Sequence, residues 1–308
     1  MGSEMCIRDR GLIGAISAIG YDFHDHTLEL LSYRKKRRFG KKRIISTDSV
    51  KKMQEDTFPY TFNSFDTKRG RVLITPHGPD PVFYGVRGEN VDSLVTATQI
   101  LQSDEKLDGY MIFKSNQGTG DHLKNELNSE TMKPYASGTL IGTVSNTPKI
   151  TKGGHVFFTI NSKNNEFWCA VYKETGMSTI ASNLIIGDKI SVGGGVRKAS
   201  KNFPRIINLE FIKIISLKKN LSQTNPICKK CKKKMKSKGR NQGFQCIKCG
   251  AKNLKKTSLE IPRQIKKQLY IPKISAHRHL TRPLQRTGKT NKTSKFDASQ
   301  SWFCVYEK

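Results

Sequence analysis

The sequence predicts an α+β multidomain protein built from three successive parts: an α/β region, an OB-fold β-barrel and a zinc ribbon. Three observations carry that prediction. Between residues 71 and 115, stretches of strand period alternate with one of helical period. Between Tyr135 and Leu217, strand patterns follow one another with one short helical interruption. Cys228-x2-Cys231 and Cys246-x2-Cys249 stand fourteen residues apart, a spacing at which two CxxC hooks close a tetrahedral zinc site.

At the N-terminus, MGSEMCIRDR shows no periodicity and resembles a translated sequencing-adapter peptide, so residues 1–10 are set aside. The run GLIGAISAIG (11–20) suits a helix packed closely on a sheet, and FHDHTLELLSYR reads as a strand with acidic and imidazole groups at its head. RKKRRFGKKR (34–43) is either a solvated turn or a loop that contacts phosphates. RVLITP, PVFYGVRG and DGYMIFKS read as strands, and VDSLVTATQIL as a helix.

ASGTLIGTVS, GGHVFFTIN, EFWCAVY, GDKISVGGGV and RIINLEFIKII then supply five strands, with the helical piece at 177–183 between the third and fourth. That is the order of an OB-fold. Phe157, Phe158, Phe167, Trp168 and Tyr172 divide between the barrel core and an outer face able to stack on bases. The ribbon follows, crowded with lysines that favour thiolates. Next comes a basic, proline-punctuated stretch in which Arg278, His279, Arg282 and Arg286 are expected to touch RNA. The expected domains are thus an α/β region at 11–132, the OB-fold at 133–218, and the ribbon with its basic extension at 219–286. A disordered polar tail at 287–308 completes the chain.

Lysine and arginine number 55 against 25 aspartate and glutamate, a formal charge of +30 that calls for a polyanionic partner. No apolar stretch approaches the roughly 20 residues a spanning helix needs, so nucleic acid is preferred over lipid. With no secretory signal and with thiols reading as metal ligands, a cytoplasmic location is expected.

Several stretches, taken in order, resemble one family. They are DHTLELLSYR (25–34), TFNSFD (61–66), PHGPDPVFYGVRG (76–88), YMIFKSNQGTGDHL (110–123), the barrel, the ribbon and SAHRHLTRPLQR (275–286). The family is that of the archaeal tRNA-isoleucine agmatinylcytidine synthetases, TiaS. The resemblance implies an ATP-dependent, tRNA-modifying ligase that joins agmatine to carbon 2 of the wobble cytidine in the CAU-anticodon isoleucine tRNA, enabling AUA decoding. ATP would phosphorylate the 2-carbonyl oxygen, and the amine of agmatine would displace the phosphate. It further implies that residues 11–132 are partly ferredoxin-like and partly kinase-like. The family's autophosphorylated threonine would lie before Gly11, so the chain is expected to be a truncated fragment, inactive alone.

Phosphoryl transfer requires oxygens for Mg2+ and cations for phosphates. Asn63, Asp66 and Arg87 are the catalytic candidates, and Asn116, Gln117, Gly118 and Thr119 the ATP-binding ones, with Gly118 and Gly120 offering backbone amides. This glycine loop is not a Walker sequence, and a surface turn is its alternative reading. For the guanidinium and amine of agmatine, Asp22, Asp25 and Glu29 are the candidate carboxylates, unless they pair with Arg34 or its neighbours. His24 and His26 are either proton carriers or structural. Two alternatives stand beside the ligase: a non-enzymatic RNA-binding protein, and a different ATP-dependent tRNA-modifying enzyme.

Overall fold

A computed structural model describes residues 16–17, 19–201, 204–292 and 301–306. It divides into two compact units, Met1–Lys124 with Lys273–Lys308, and Asn125–Pro272. The expectations for residues 1–10, and most of those for 11–20, lie outside the described residues. Among the described residues no helix is long and apolar enough to cross a membrane.

In the first unit, strand β1 (Thr27–Arg34) buries Leu28, Leu30, Ser32 and Arg34 on one face and half-exposes Glu29, Leu31 and Tyr33 on the other. This is the period of a strand covered on one side. Helix α1 (Thr47–Asp56) starts where the Ser46 side chain accepts a hydrogen bond from the Ser49 N–H, and it buries Val50 and Met53. Strand β2 (Thr61–Phe62), strand β3 (Val82–Gly88), helix α2 (Val91–Ile100) and strand β4 (Leu107–Ser115) follow. Asn90 caps α2 by accepting from the Ser93 N–H, and Val91, Leu94 and Ala97 face the core. The order across the sheet is β4-β1-β3-β2, all neighbours antiparallel, with Phe303–Val305 added at the β4 edge.

Three expectations are corrected here. Of RVLITP only Arg71–Val72 forms a strand, paired with Phe65–Asp66, because the following residues bond to Ser64 and Gly85 instead of extending a ladder. The tail from Thr287 is not wholly disordered: Asn291 is hydrogen-bonded to β1's approach, and Phe303–Val305 pairs with β4. Arg34 pairs with none of Asp22, Asp25 or Glu29. Its buried guanidinium meets Glu105 at 2.8 Å and the Lys41 carbonyl at 2.6 Å, so the basic turn beyond it is anchored internally.

One network ties the C-terminal segment to β1. Asp25, fully buried, takes Arg282 Nη2 at 2.8 Å on one oxygen, and Arg286 Nη2 at 3.0 Å and the Asn291 N–H at 2.9 Å on the other. Arg286 is equally buried; it also donates through Nε to Glu89 at 2.6 Å and through Nη1 to the Gly118 carbonyl at 3.0 Å. Asn291 completes the set by donating to Glu89 at 2.7 Å. Every charge in the cluster has an opposite charge and a hydrogen bond, the condition for burying ions at tolerable cost.

The second unit closes five strands on themselves: β5 (Ser137–Val144), β6 (Val156–Ser162), β7 (Asn165–Val171), β8 (Lys189–Arg197) and β9 (Ile206–Ser216). The ring runs β5-β6-β7-β9-β8 and back to β5, with β7 and β9 parallel. Helix α3 (Ser178–Ser182) lies between β7 and β8, and Met177, Ala181 and Leu184 around it join the barrel core. Phe158 and Phe167 are buried there, whereas Phe157, Trp168 and Tyr172 are half-buried. In β8, Gly193 and Gly194 permit close approach of β9. A side chain at Gly194 would meet the Asn208 carbonyl oxygen at 1.9 Å, and one at Gly193 the Phe211 ring at 2.2 Å. Asp188, fully buried, accepts from Arg263 at 2.6 and 2.7 Å, fastening the segment after the ribbon to the turn before β8. The ribbon itself is three short antiparallel strands, β10 (Lys236–Ser237), β11 (Phe244–Gln245) and β12 (Lys252–Asn253).

Removing one member of a buried ionic cluster leaves the others uncompensated. Arg286→Ala should therefore lower the stability of the first unit by about 3–5 kcal/mol, read from denaturant unfolding, and should expose the C-terminal segment to protease. An equal midpoint for variant and wild type would show that the cluster does not hold that segment.

Candidate functional site

The metal centre is built from two matching hooks. In the first, the Cys228 N–H donates to the Lys233 carbonyl and the Lys232 N–H to the Cys228 carbonyl, both at 2.8 Å. In the second, the Cys246 N–H donates to the Ala251 carbonyl at 2.8 Å and the Gly250 N–H to the Cys246 carbonyl at 2.9 Å. The residue after each second cysteine, Lys232 and Gly250, is left-handed (φ 54° and 70°), which turns the chain back under the sulfurs. All four sulfurs lie within 4.8 Å of one another. The Cys231 backbone amide pulls the Cys228 thiol down to about 7, while the Cys249 and Cys246 thiols and burial push Cys231 up to about 12. Four thiolates this close repel one another, and a divalent cation bonded to all four offsets that repulsion. Four sulfurs in this arrangement fit tetrahedral zinc, with every position filled by protein as in a structural site.

The second feature is a cleft of 280 Å³ on the face of the first unit's sheet that carries the half-exposed Glu29 and Leu31. Glu29 of β1 and Arg87 of β3 are cross-strand neighbours there, with Arg87 Nε 3.1 Å from Glu29 Oε1. The other Glu29 oxygen accepts from Gln117 Nε2 at 2.6 Å, and Arg87 Nη2 lies 3.0 Å from His279 Nδ1. His279 Nδ1 also lies 3.3 Å from Gln117 Oε1, so the imidazole sits between a guanidinium and an amide oxygen. Phe62, Leu31, Leu73 and Ile74 give the cleft an apolar lining, and Asn63, left-handed at φ 59°, sits at its edge.

This arrangement redistributes the residues singled out from sequence. Glu29, Asn63, Arg87 and His279 line one cleft, and Gln117 joins them through Glu29. Asp66 is elsewhere: its buried Oδ1 accepts from the Lys68 and Arg69 N–H groups and shapes the Phe65–Val72 turn. The glycine loop does not offer its amides to phosphate, because the Gly118 N–H donates to the His279 carbonyl at 2.8 Å and the Gly120 N–H to the Leu280 carbonyl at 2.9 Å. Thr119 is buried, bonded to the Asn116 carbonyl, and receives Arg282 Nε on its own carbonyl at 2.7 Å.

Asp25 has both oxygens occupied by arginines, so it presents no free charge to agmatine, whereas Asp22 is exposed in the loop before β1. Arg286 is fully buried, so its guanidinium presents no surface to RNA, while Arg282 is partly exposed and bonded to the Thr119 carbonyl and Asp25. Arg278 is exposed. His24 is exposed, while burial and then Lys114 hold the His26 imidazole below its ordinary value. Sequence reasoning missed Glu89 and Asn291, which lie 197 and 266 residues from the partners they meet. No local pattern marks either one.

Two family descriptions match the chain: "TiaS FLD domain" over residues 9–122 and "TiaS C-terminal zinc ribbon domain" over 225–265. The isoleucine-2 tRNA 2-agmatinylcytidine synthetase TiaS of Cenarchaeum symbiosum is 47% identical over 298 residues, covering 97% of this chain and 66% of the relative. A crystal structure of apo TiaS superposes with a TM-score of 0.77 at 36% identity, over 93% of this chain and 67% of that one. A complex of TiaS with the isoleucine-2 tRNA, AMPCPP and agmatine gives 0.76 at 34% identity, over 90% and 64%. On these matches, and with a zinc ribbon following a mixed α/β unit and a strand-closed barrel, the chain belongs to the TiaS family. It spans about two thirds of the length of these relatives.

Metal analysis should find one zinc per chain. Cys246→Ser should release it, and a chelator should unfold the ribbon while the barrel signal persists, because so small a hairpin depends on its metal for folding. Full zinc retention by Cys246→Ser would remove that residue from the ligand set.

Proposed function

We propose that this chain supplies the tRNA-holding part and one wall of the reaction site of an isoleucine-2 tRNA 2-agmatinylcytidine synthetase. The observation that carries this reading is the family match over almost the whole chain, including a relative solved with the isoleucine-2 tRNA, AMPCPP and agmatine. The first unit is read as ferredoxin-like, from its β-α-β-β-α-β order and 4-1-3-2 sheet, and the ring of the second as an OB-fold. In the reaction proposed, an ATP phosphoryl group moves with Mg2+ to the cytidine 2-carbonyl oxygen. The agmatine amine then bonds to carbon 2, the carbon–oxygen bond breaks, and phosphate leaves. The product would be tRNA able to read AUA, formed in the cytoplasm.

The committed amides of Gly118 and Gly120 favour a division of labour in which this chain grips RNA and the phosphates are held by another part of the complete enzyme. A plain RNA-binding role for the chain is the second reading, and it rests on the same amides. Agmatine would then meet Asp22 and the cleft edge rather than Asp25. A completed enzyme, made by joining this chain to the remaining third of a relative, should incorporate labelled agmatine into the tRNA transcript when ATP is present. Binding without incorporation would favour the second reading.

For the chain alone, affinity for the transcript should fall linearly in log–log form with salt, as lysines and arginines release counterions. Arg278→Ala should lower that slope by about one. An unchanged slope would take Arg278 off the RNA.

A further inference from the structure

A turn on the barrel holds an aromatic residue in a conformation that disfavours it. The Ala136 N–H donates to the Lys133 carbonyl at 3.0 Å, which makes Pro134 and Tyr135 the central residues of a β-turn. Proline at the first of these positions is usual. A left-handed φ at the second makes the turn type II, and that position belongs to glycine or asparagine. Here it is Tyr135, at φ 68°. We propose that Tyr135 is a stacking platform for an unpaired base of the bound RNA. The proposal rests on the reading of RNA as the partner and deepens it by naming a residue and the part of the ligand it meets.

The fold imposes the strain. The Tyr135 N–H donates to the Val196 carbonyl at 2.9 Å and the Val196 N–H to the Ala136 carbonyl at 2.7 Å, so the turn prolongs the pairing of β5 with β8 and its backbone cannot relax. Glycine would make the same hydrogen bonds without a Cβ to crowd. Packing of the ring does not offset the strain either. At 83% exposed it is the most exposed of the phenylalanine, tyrosine and tryptophan side chains among the described residues. A bulky residue kept left-handed with its ring in solvent points to a role outside the fold.

The surroundings identify the ligand. Lys133 is the only charged residue from 131 to 137, and 197–205 carries Arg197, Lys198, Lys201 and Arg205 with no acid. These two cationic segments meet at the turn: Val196 bonds to it directly, and Arg205 Nη1 donates to the Met132 carbonyl at 3.0 Å. Beside the turn, Met132, Trp168 and Arg205 help to line a hollow of 380 Å³. Aromatic faces set among cations hold single-stranded nucleic acid, the cations taking phosphates while a base lies flat on the ring. A base within a duplex is already stacked on both sides, so the platform selects an unpaired one. Every base has a π face, so it reads strandedness and not sequence.

The test uses the full chain with two probes, a single-stranded A12 RNA and a 12-base-pair RNA duplex. Tyr135→Ala should weaken binding of the single strand about fivefold or more and leave the duplex unchanged. The salt slope should stay as in wild type, because the ring releases no counterions. Tyr135→Phe should bind as wild type does. Tyr135→Gly should weaken the single strand as much as Tyr135→Ala, yet raise the thermal transition by about 2–4 °C as the left-handed strain is relieved. Wild-type affinity of Tyr135→Ala for the single strand overturns the proposal, as does an equal loss on the duplex. A lowered transition in Tyr135→Gly overturns it too, since the ring would then serve the fold. Wild-type single-strand affinity in Tyr135→Ala, with agmatine incorporated by the completed enzyme, sinks the platform alone. Failed incorporation with the single-strand loss intact sinks the synthetase reading alone.

Discussion

A carboxylate with no access to water must be matched by cations, and Asp25 imposes that demand on the whole first unit. Arg282 and Arg286 converge on its two oxygens, which fixes the path of the segment that carries them. That path sets the carbonyls of His279 and Leu280, and these take the amides of Gly118 and Gly120. The loop so held places Gln117 on Glu29, and Glu29 in turn orients Arg87. A chain of polar contacts therefore runs from a buried ion to an open cleft without passing through the apolar core. Hydrogen-bonded networks of this kind specify one arrangement more than they add stability.

The second unit repeats the device on another scale. Asp188 is buried at the turn before β8 and is met by Arg263 from beyond the ribbon, so the excursion that forms the ribbon begins and ends on the barrel. The ribbon's own core is little more than Met235, Phe244 and the buried cysteines, too small to order its backbone by apolar burial. Metal coordination supplies what that core lacks. Barrel and ribbon thus rest on different physics although one chain segment joins them.

Features whose partners lie close in sequence were legible. The CxxC hooks, helix α2 and the strands of the barrel announce themselves by spacing or period, whereas α1, which starts at the Ser46 cap, went unread. The cleft was legible only in part. Glu29, Asn63, Arg87, Gln117 and His279 were singled out as individuals and given four different tasks, because no periodicity shows that residues as distant in sequence as Glu29 and His279 share one place. Charge was the least reliable guide to position. Asp25, Arg282 and Arg286 read as ligand-facing because charged residues are seldom buried, yet they satisfy one another inside the fold. The glycines of the 116–120 loop misled similarly: left-handed glycine marks a backbone in close approach, and here the approaching group is another stretch of the same chain.

The Asp25–Arg286 contact joins residues 261 apart, and the whole of Asn125–Pro272 lies between them. During vectorial synthesis β1 leaves the ribosome long before its counter-charges exist. The barrel, continuous in sequence, is complete earlier and can fold as a unit while the first unit still waits. A folded barrel also replaces a long flexible loop by a body with fixed ends, which lessens the loop-closure entropy that the buried pair must overcome. The order of maturation is thereby written into the connectivity: middle first, ends last, with the cleft appearing only once the final arginine has been translated.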